Sequence, residues 1–94
     1  MDEIKIVWSE YIMYRLNLRG YDLATVEHIL RYPSERYADT VTGRQIAVGR
    51  HERLLVIIPY ERQGDTLTPV TIHATSRQQI NSRLKSGRLK KRNE

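Results

Sequence analysis

The longest apolar run in the chain is Leu54-Leu55-Val56-Ile57-Ile58-Pro59-Tyr60, closed by His51-Glu52-Arg53 on one side and Glu61-Arg62-Gln63-Gly64-Asp65 on the other. It is far too short to span a bilayer. Its β-branched content and flanking turn residues predict a strand buried on both faces rather than a helix. A strand of that kind has to be the centre of a sheet, and the rest of the chain must supply the layers that cover it.

The sequence before the run supplies helices. Ile4-Lys5-Ile6-Val7-Trp8 reads as a short first strand. Ser9 is then a helix N-cap with Glu10 in the first turn, and the helix carries Ile12 and Leu16 on one face until Arg19-Gly20 ends it. Asp22 caps a second helix in which Leu23, Val26, Ile29 and Leu30 recur at helical spacing, and Pro33 stops it at Tyr32. From Arg36 the signals are those of strands. One covers 36–41, a Thr42-Gly43 turn follows, and Ile46 and Val48 alternate with Gln45, Ala47 and Gly49. After the central run, Leu67 to Thr75 reads as one further strand burying Val70, Ile72 and Ala74, with Thr71, His73 and Thr75 on its other face and Pro69 at an edge or bulge. Ser76 and Gln79 have the spacing of a capping box, opening a last helix with Ile80 and Leu84 one turn apart and Gly87 at its end. The order β-α-α-β-β-β-β-α predicts an α+β domain. Two N-terminal helices pack on a mostly antiparallel sheet of four to five strands, a short basic helix follows, and one sheet face is left open to a ligand.

Charge is distributed unevenly. Residues 1–76 hold 9 Lys and Arg against 10 Asp and Glu, a net −1, whereas residues 77–94 hold 7 against 1, a net +6. A segment so basic suits a polyanion such as RNA, or an acidic protein. The organisation expected is one domain over 1–88 and a basic, disordered tail over 89–94. There is no cysteine to form disulfides or thiolate metal sites, and the acidic start leads into no long apolar region. A cytoplasmic protein without a membrane partner is the expectation.

The residue pattern excludes several chemistries. It contains no phosphate-cradling Gly-rich loop, no His pair at zinc spacing and no nucleophile elbow, so neither metal nor cofactor is expected. Of the histidines, His28 reads as a helix-surface residue. The second half of the chain instead gathers proton-transfer and cationic groups. Metal-free RNA cleavage needs a base for the 2′-hydroxyl, an acid for the leaving oxygen and cations for the phosphorane. His73 and His51 are candidate acid/base groups, Tyr60 a secondary proton donor, and Arg77 the cation beside His73 at the start of the last helix. Arg50, Arg53, Arg62, Arg83, Lys85, Arg88, Lys90, Lys91 and Arg92 are candidate RNA contacts. Two other readings stay open: a non-catalytic RNA- or ribosome-binding module, and an interaction domain whose edge strand pairs with a partner or a second copy as a homodimer.

Trp8, the helix pair ending at Leu30-x-x-Pro33, and Thr42-Gly43-Arg44-x-Ile46-Ala47-Val48-Gly49 followed by Leu54-Leu55-Val56-Ile57 resemble the BrnT-type and DUF4258-type proteins, which are similar to the RelE/ParE toxin superfamily. The resemblance runs from Trp8 to near Gly87. It implies a RelE-like fold and a small bacterial type II toxin, a metal-independent mRNA-cleaving ribonuclease held in check by a cognate antitoxin protein. BrnT-like chains end their last strand in an arginine-rich segment, whereas this chain has His73-Ala74-Thr75 there, with Arg77 the nearest arginine.

Overall fold

A computed structural model describes residues 3–92. The elements are β1 (Lys5–Ile6), α1 (Glu10–Arg19), α2 (Leu23–Arg31), β2 (Glu35–Asp39), β3 (Gln45–His51), β4 (Leu54–Gln63), β5 (Thr66–Pro69), β6 (His73–Thr75), α3 (Arg77–Ser86) and β7 (Leu89–Lys91). The strands form one sheet in the order β1-β5-β4-β3-β2-β7, with β6 also on β4. Only β1 and β5 run parallel. The α+β class holds, and the apolar run is the middle of β4. That strand is paired with β3 along one side and with β5 and β6 along the other.

The helix boundaries follow the capping residues. Ser9 Oγ accepts from the Ile12 amide at 3.2 Å and Asp22 Oδ2 from the Thr25 amide at 3.0 Å, each satisfying an orphan donor of a first turn. Ser76 Oγ does the same for Gln79 at 3.1 Å. The second half of the expected capping box is absent: Gln79 Oε1 accepts from the Thr75 hydroxyl at 3.0 Å instead of reaching back to the backbone.

The sheet is buried from both sides. On one face α1 and α2 pack Ile12, Leu16, Val26, Ile29 and Leu30 against Ala47, Val56, Ile58, Tyr60, Leu67 and Ile72. Gly49 lets α2 come close, since a Cβ there would lie 2.7 Å from Ile29 Cγ2. On the other face Tyr37, Ile46, Val48, Leu55 and Ile57 meet Ile80 of α3 and Leu89 of β7, with Leu84 partly buried beside them. The second face is therefore covered along much of its area, not open as the sequence suggested.

Three further expectations are corrected. Leu89–Lys91 is not a loose tail: it pairs with Tyr37, Ala38 and Asp39 of β2, and Leu89 is 3% exposed. Burial of that one leucine and a free strand edge on β2 order a segment whose composition is otherwise too polar to fold; positions 93–94 of the expected tail lie outside the described residues. The turn expected at His51-Glu52-Arg53 is also shorter. β3 continues through His51, which pairs with Leu54, and Glu52 takes φ 57° in a two-residue turn.

The strand expected over Leu67–Thr75 is broken. Pro69 pairs with Tyr60 and His73 with Ile57, so three residues, 70–72, oppose two, Ile58 and Pro59. This is a β-bulge, adding one residue and changing which face the chain presents. Val70, Ile72 and Ala74 consequently do not share a buried face: Ile72 is buried, Val70 half-buried and Ala74 exposed. With the strand split in two and β7 added, the sheet exceeds the expected four to five strands.

Candidate functional site

The β4–β6 side of the α3 face holds a cleft of about 430 Å³. Thr71, His73 and Thr75 line one wall, Gln79 and Arg83 of α3 another, and Asp39, Arg44 and Arg88 the far end. The bulge builds the first wall. It brings both Val70 and Thr71 to the cleft and sets His73 opposite Ile57, whose side chain belongs to the α3-side core. Thr71 Oγ1 is buried there and has no hydrogen-bond partner among the described residues. A buried hydroxyl in that state is uncommon in native proteins, and it marks a donor that an occupant of the cleft could use.

Arg15 joins α1 to the same wall. Its Nε donates to the Ile72 carbonyl at 3.1 Å, and its Nη2 lies 3.2 Å from His73 Nδ1. Because a guanidinium only donates, Nδ1 must be the accepting nitrogen, and the neutral ring carries its proton on Nε2. Partial burial, and then the charges of Arg15, Arg19 and Arg83, hold the His73 pKa below the usual imidazole value. None of these three arginines has a carboxylate within 4.0 Å among the described residues. His73 is thus neutral at pH 7, a hydrogen-bond donor amid uncompensated positive charge.

The other cations of the cleft are compensated. Arg88 makes two hydrogen bonds to Asp39, from Nε at 2.9 Å and from Nη2 at 3.1 Å. That guanidinium, with the Thr42 and Val41 amides, lowers the Asp39 pKa to about 2 against the desolvation that would raise it. Arg44 Nε lies 3.4 Å from Glu61 Oε2.

The remaining residues singled out from sequence are dispersed. His51 is buried on the α1–α2 side, where Nε2 accepts from the Asp22 amide at 2.7 Å and its ring meets Tyr21 edge-on at 5.1 Å. It completes the start of α2. Tyr60 is 0% exposed; its hydroxyl donates to Gln45 Oε1 at 2.9 Å and accepts from Arg36 Nη1 at 2.8 Å. Neither residue lines the His73 cleft. Arg77 grips Glu35 with both terminal nitrogens, Nη1 at 2.8 Å, which lowers the Glu35 pKa and raises its own; Tyr37 donates to the same carboxylate.

Arg50 is exposed beside a shallow depression shared with Arg77, His28 and Tyr32, and Arg53 is exposed in the β3–β4 turn. Arg62 donates to the Gly64 carbonyl at 2.9 Å, Lys85 is exposed on α3, and Lys90 and Lys91 are exposed along β7. The Arg92 amide donates to the Arg36 carbonyl at 3.1 Å, extending the β2–β7 pairing. Of the expected residues, then, His73, Arg83 and Arg88 come together. Arg15 touches His73 and Arg19 acts on it by charge, though neither lines the cleft; they were not singled out because the contact from α1 to β6 crosses 58 positions of sequence.

No metal-binding cluster of three or more His, Cys, Asp and Glu residues occurs among the described residues, and no described helix is long and apolar enough to cross a membrane. No protein-family model, curated protein or solved structure matches the chain.

Proposed function

We propose that the His73 cleft binds the phosphodiester backbone of RNA, making this chain an RNA-directed protein of the RelE- and BrnT-like kind that its sequence resembles. One observation carries the reading. Arg15 and Arg19 from α1 and Arg83 from α3 converge on His73 with no carboxylate within 4.0 Å of them among the described residues. Like charges held together by a fold are unfavourable until an anion joins them, and a phosphate chain releases its own counterions when it does so. The unpartnered Thr71 hydroxyl and the Nε2–H of His73 add neutral donors beside those charges.

Metal-independent cleavage is the second reading, favoured by an imidazole that is neutral at pH 7 among cations able to stabilise a phosphorane. Within it, the Arg15 contact occupies Nδ1, so His73 donates to a phosphate oxygen and the base for the 2′-hydroxyl must be another group or require His73 to release Arg15. His51 and Tyr60 are not suited to that role, being buried and bonded on the opposite face.

The test is the affinity of a labelled RNA across a salt series, followed by incubation in a chelator and analysis for strand scission. Replacing Arg19 and Arg83 by alanine is expected to flatten the logarithmic salt slope by about 1.4 if each holds one phosphate of a single strand. An unchanged slope would refute the binding reading. Intact RNA, with growth unimpaired when the protein is induced in bacteria, would remove the ribonuclease reading and leave binding alone.

A further inference from the structure

The outer surface of α1 carries apolar residues that the fold does not use. Tyr11 is 54% exposed, Tyr14 64% and Leu18 61%, although all three lie on a helix whose Ile12 and Leu16 are buried. At about 100° per residue they fall within about 60° of arc on the helix surface, and Arg15 and Arg19 occupy the next sector, between that stripe and the buried face. The arginine row is the one that reaches Ile72 and His73. Glu10, the acidic residue of α1, flanks the stripe on its other side at the first turn.

We infer that Tyr11 and Tyr14 are a stacking platform for unpaired nucleobases of an RNA strand whose phosphates lie on Arg15, Arg19 and Arg83, so that the ligand is single-stranded. The inference rests on the binding reading above and adds the strand state and two residues to it. Tyrosine rings take the face of any base while their hydroxyls stay in water, which accounts for large rings left exposed on a helix without an apolar neighbour layer. Charge selects the occupant, because the cations of α1 that border the stripe, Arg15 and Arg19, have no carboxylate within 4.0 Å among the described residues and act on His73 of the cleft. Geometry selects the strand state. Side chains three apart on a helix stand about 5–6 Å apart, wider than the about 3.4 Å step of a continuous duplex stack, so bases seated on both rings have left such a stack. In a duplex the base faces are covered by their neighbours and only phosphates remain to bind.

The experiment uses the full chain with a short labelled RNA, single-stranded and annealed to its complement, measured by fluorescence anisotropy at two salt concentrations. The wild type is expected to prefer the single strand. Tyr11→Leu and Tyr14→Leu should each weaken single-strand binding about 5- to 100-fold while leaving duplex binding and the salt slope unchanged, and Tyr14→Phe should restore it. Circular dichroism of the same variants confirms that exposed side chains were changed without loss of fold. Leucine variants that bind single strands like the wild type overturn the platform, and that is also the result expected if the stripe serves a protein partner, since leucine keeps it apolar. If those variants bind normally while Arg83→Ala is weakened, the cleft reading stands alone. If the wild type binds neither form of RNA, the cleft reading has failed and the platform with it.

Discussion

The α1–α2 side of the sheet and its α3 side are built from the same strands but treat polar groups in opposite ways. On the first, His51, Tyr60, Gln45 and Arg36 are each bonded to another part of the fold, and the apolar layer between them is continuous from Ile12 to Ile72. On the second, a smaller core is flanked by ion pairs, Arg77 with Glu35 and Arg88 with Asp39, and next to them lie a hydroxyl and arginines that have no partner or carboxylate among the described residues. A side whose polar groups are satisfied internally contributes stability and has little left to offer a ligand. The other gives up some burial and keeps unsatisfied donors for binding.

The largest effect expected from this contrast is Ile58→Asp. The residue is 0% exposed on the α1–α2 side, and an unpaired carboxylate there opposes folding by several kcal/mol, comparable with the whole stability of a small domain. Recovery of a soluble variant with a cooperative melt would show that the side is not sealed. Next, Gly49→Ala should destabilise by about 1–3 kcal/mol by driving a methyl into Ile29, and His51→Leu by about 1–3 kcal/mol by stranding the Asp22 amide. Denaturant midpoints measure both, and neither should alter RNA affinity.

Acid should act mainly from the α3 side. With the Asp39 pKa held near 2, below its ordinary value of 3.8, the Arg88 pair contributes stability above about pH 4 that is lost as pH falls towards 2. Asp39→Asn should remove that part of the acid transition, and a melting profile unaltered between pH 4 and 2 would contradict the pairing. The smallest effect on stability is Arg83→Ala, expected to stay within about 0.5 kcal/mol because the side chain is exposed, while RNA binding falls. A variant that lost stability and kept its RNA affinity would invert the comparison.

Much of the sealed side was legible from sequence because its signals are local. Ser9 and Asp22 cap the helices they precede, and the spacing of Val26, Ile29 and Leu30 names the face of α2 that is buried. Residues 54–60 declare a doubly buried strand by composition alone. On the α3 side Ser76 and Gly87 mark the ends of the helix in the same way, but the signals for what surrounds it are not local. Leu89 is one apolar residue among cations, and only the vacant edge of β2 makes it a strand. Arg15 is an ordinary helix residue until β6 arrives beside it. His51 and Tyr60 read as chemistry because a polar residue next to an apolar strand looks available, and their partners Asp22, Gln45 and Arg36 cannot be inferred from spacing.

The extra residue between Pro69 and His73 would by itself upset the parity of the rest of the chain. Side chains of a strand alternate between faces, so in a regular strand the extra residue would send His73 and Thr75 to the α1–α2 side; the bulge absorbs it and keeps them opposite Ile57 and Leu55 on the α3 side. Deleting one of residues 70–72 would leave two to oppose Ile58 and Pro59, an even ladder in which His73 still faces Ile57. What would be lost is the doubling that brings both Val70 and Thr71 to the cleft. A one-residue deletion at Val70 or Thr71 is therefore predicted to leave the strand pairing and the aim of His73 in place while stripping one side chain from the cleft wall.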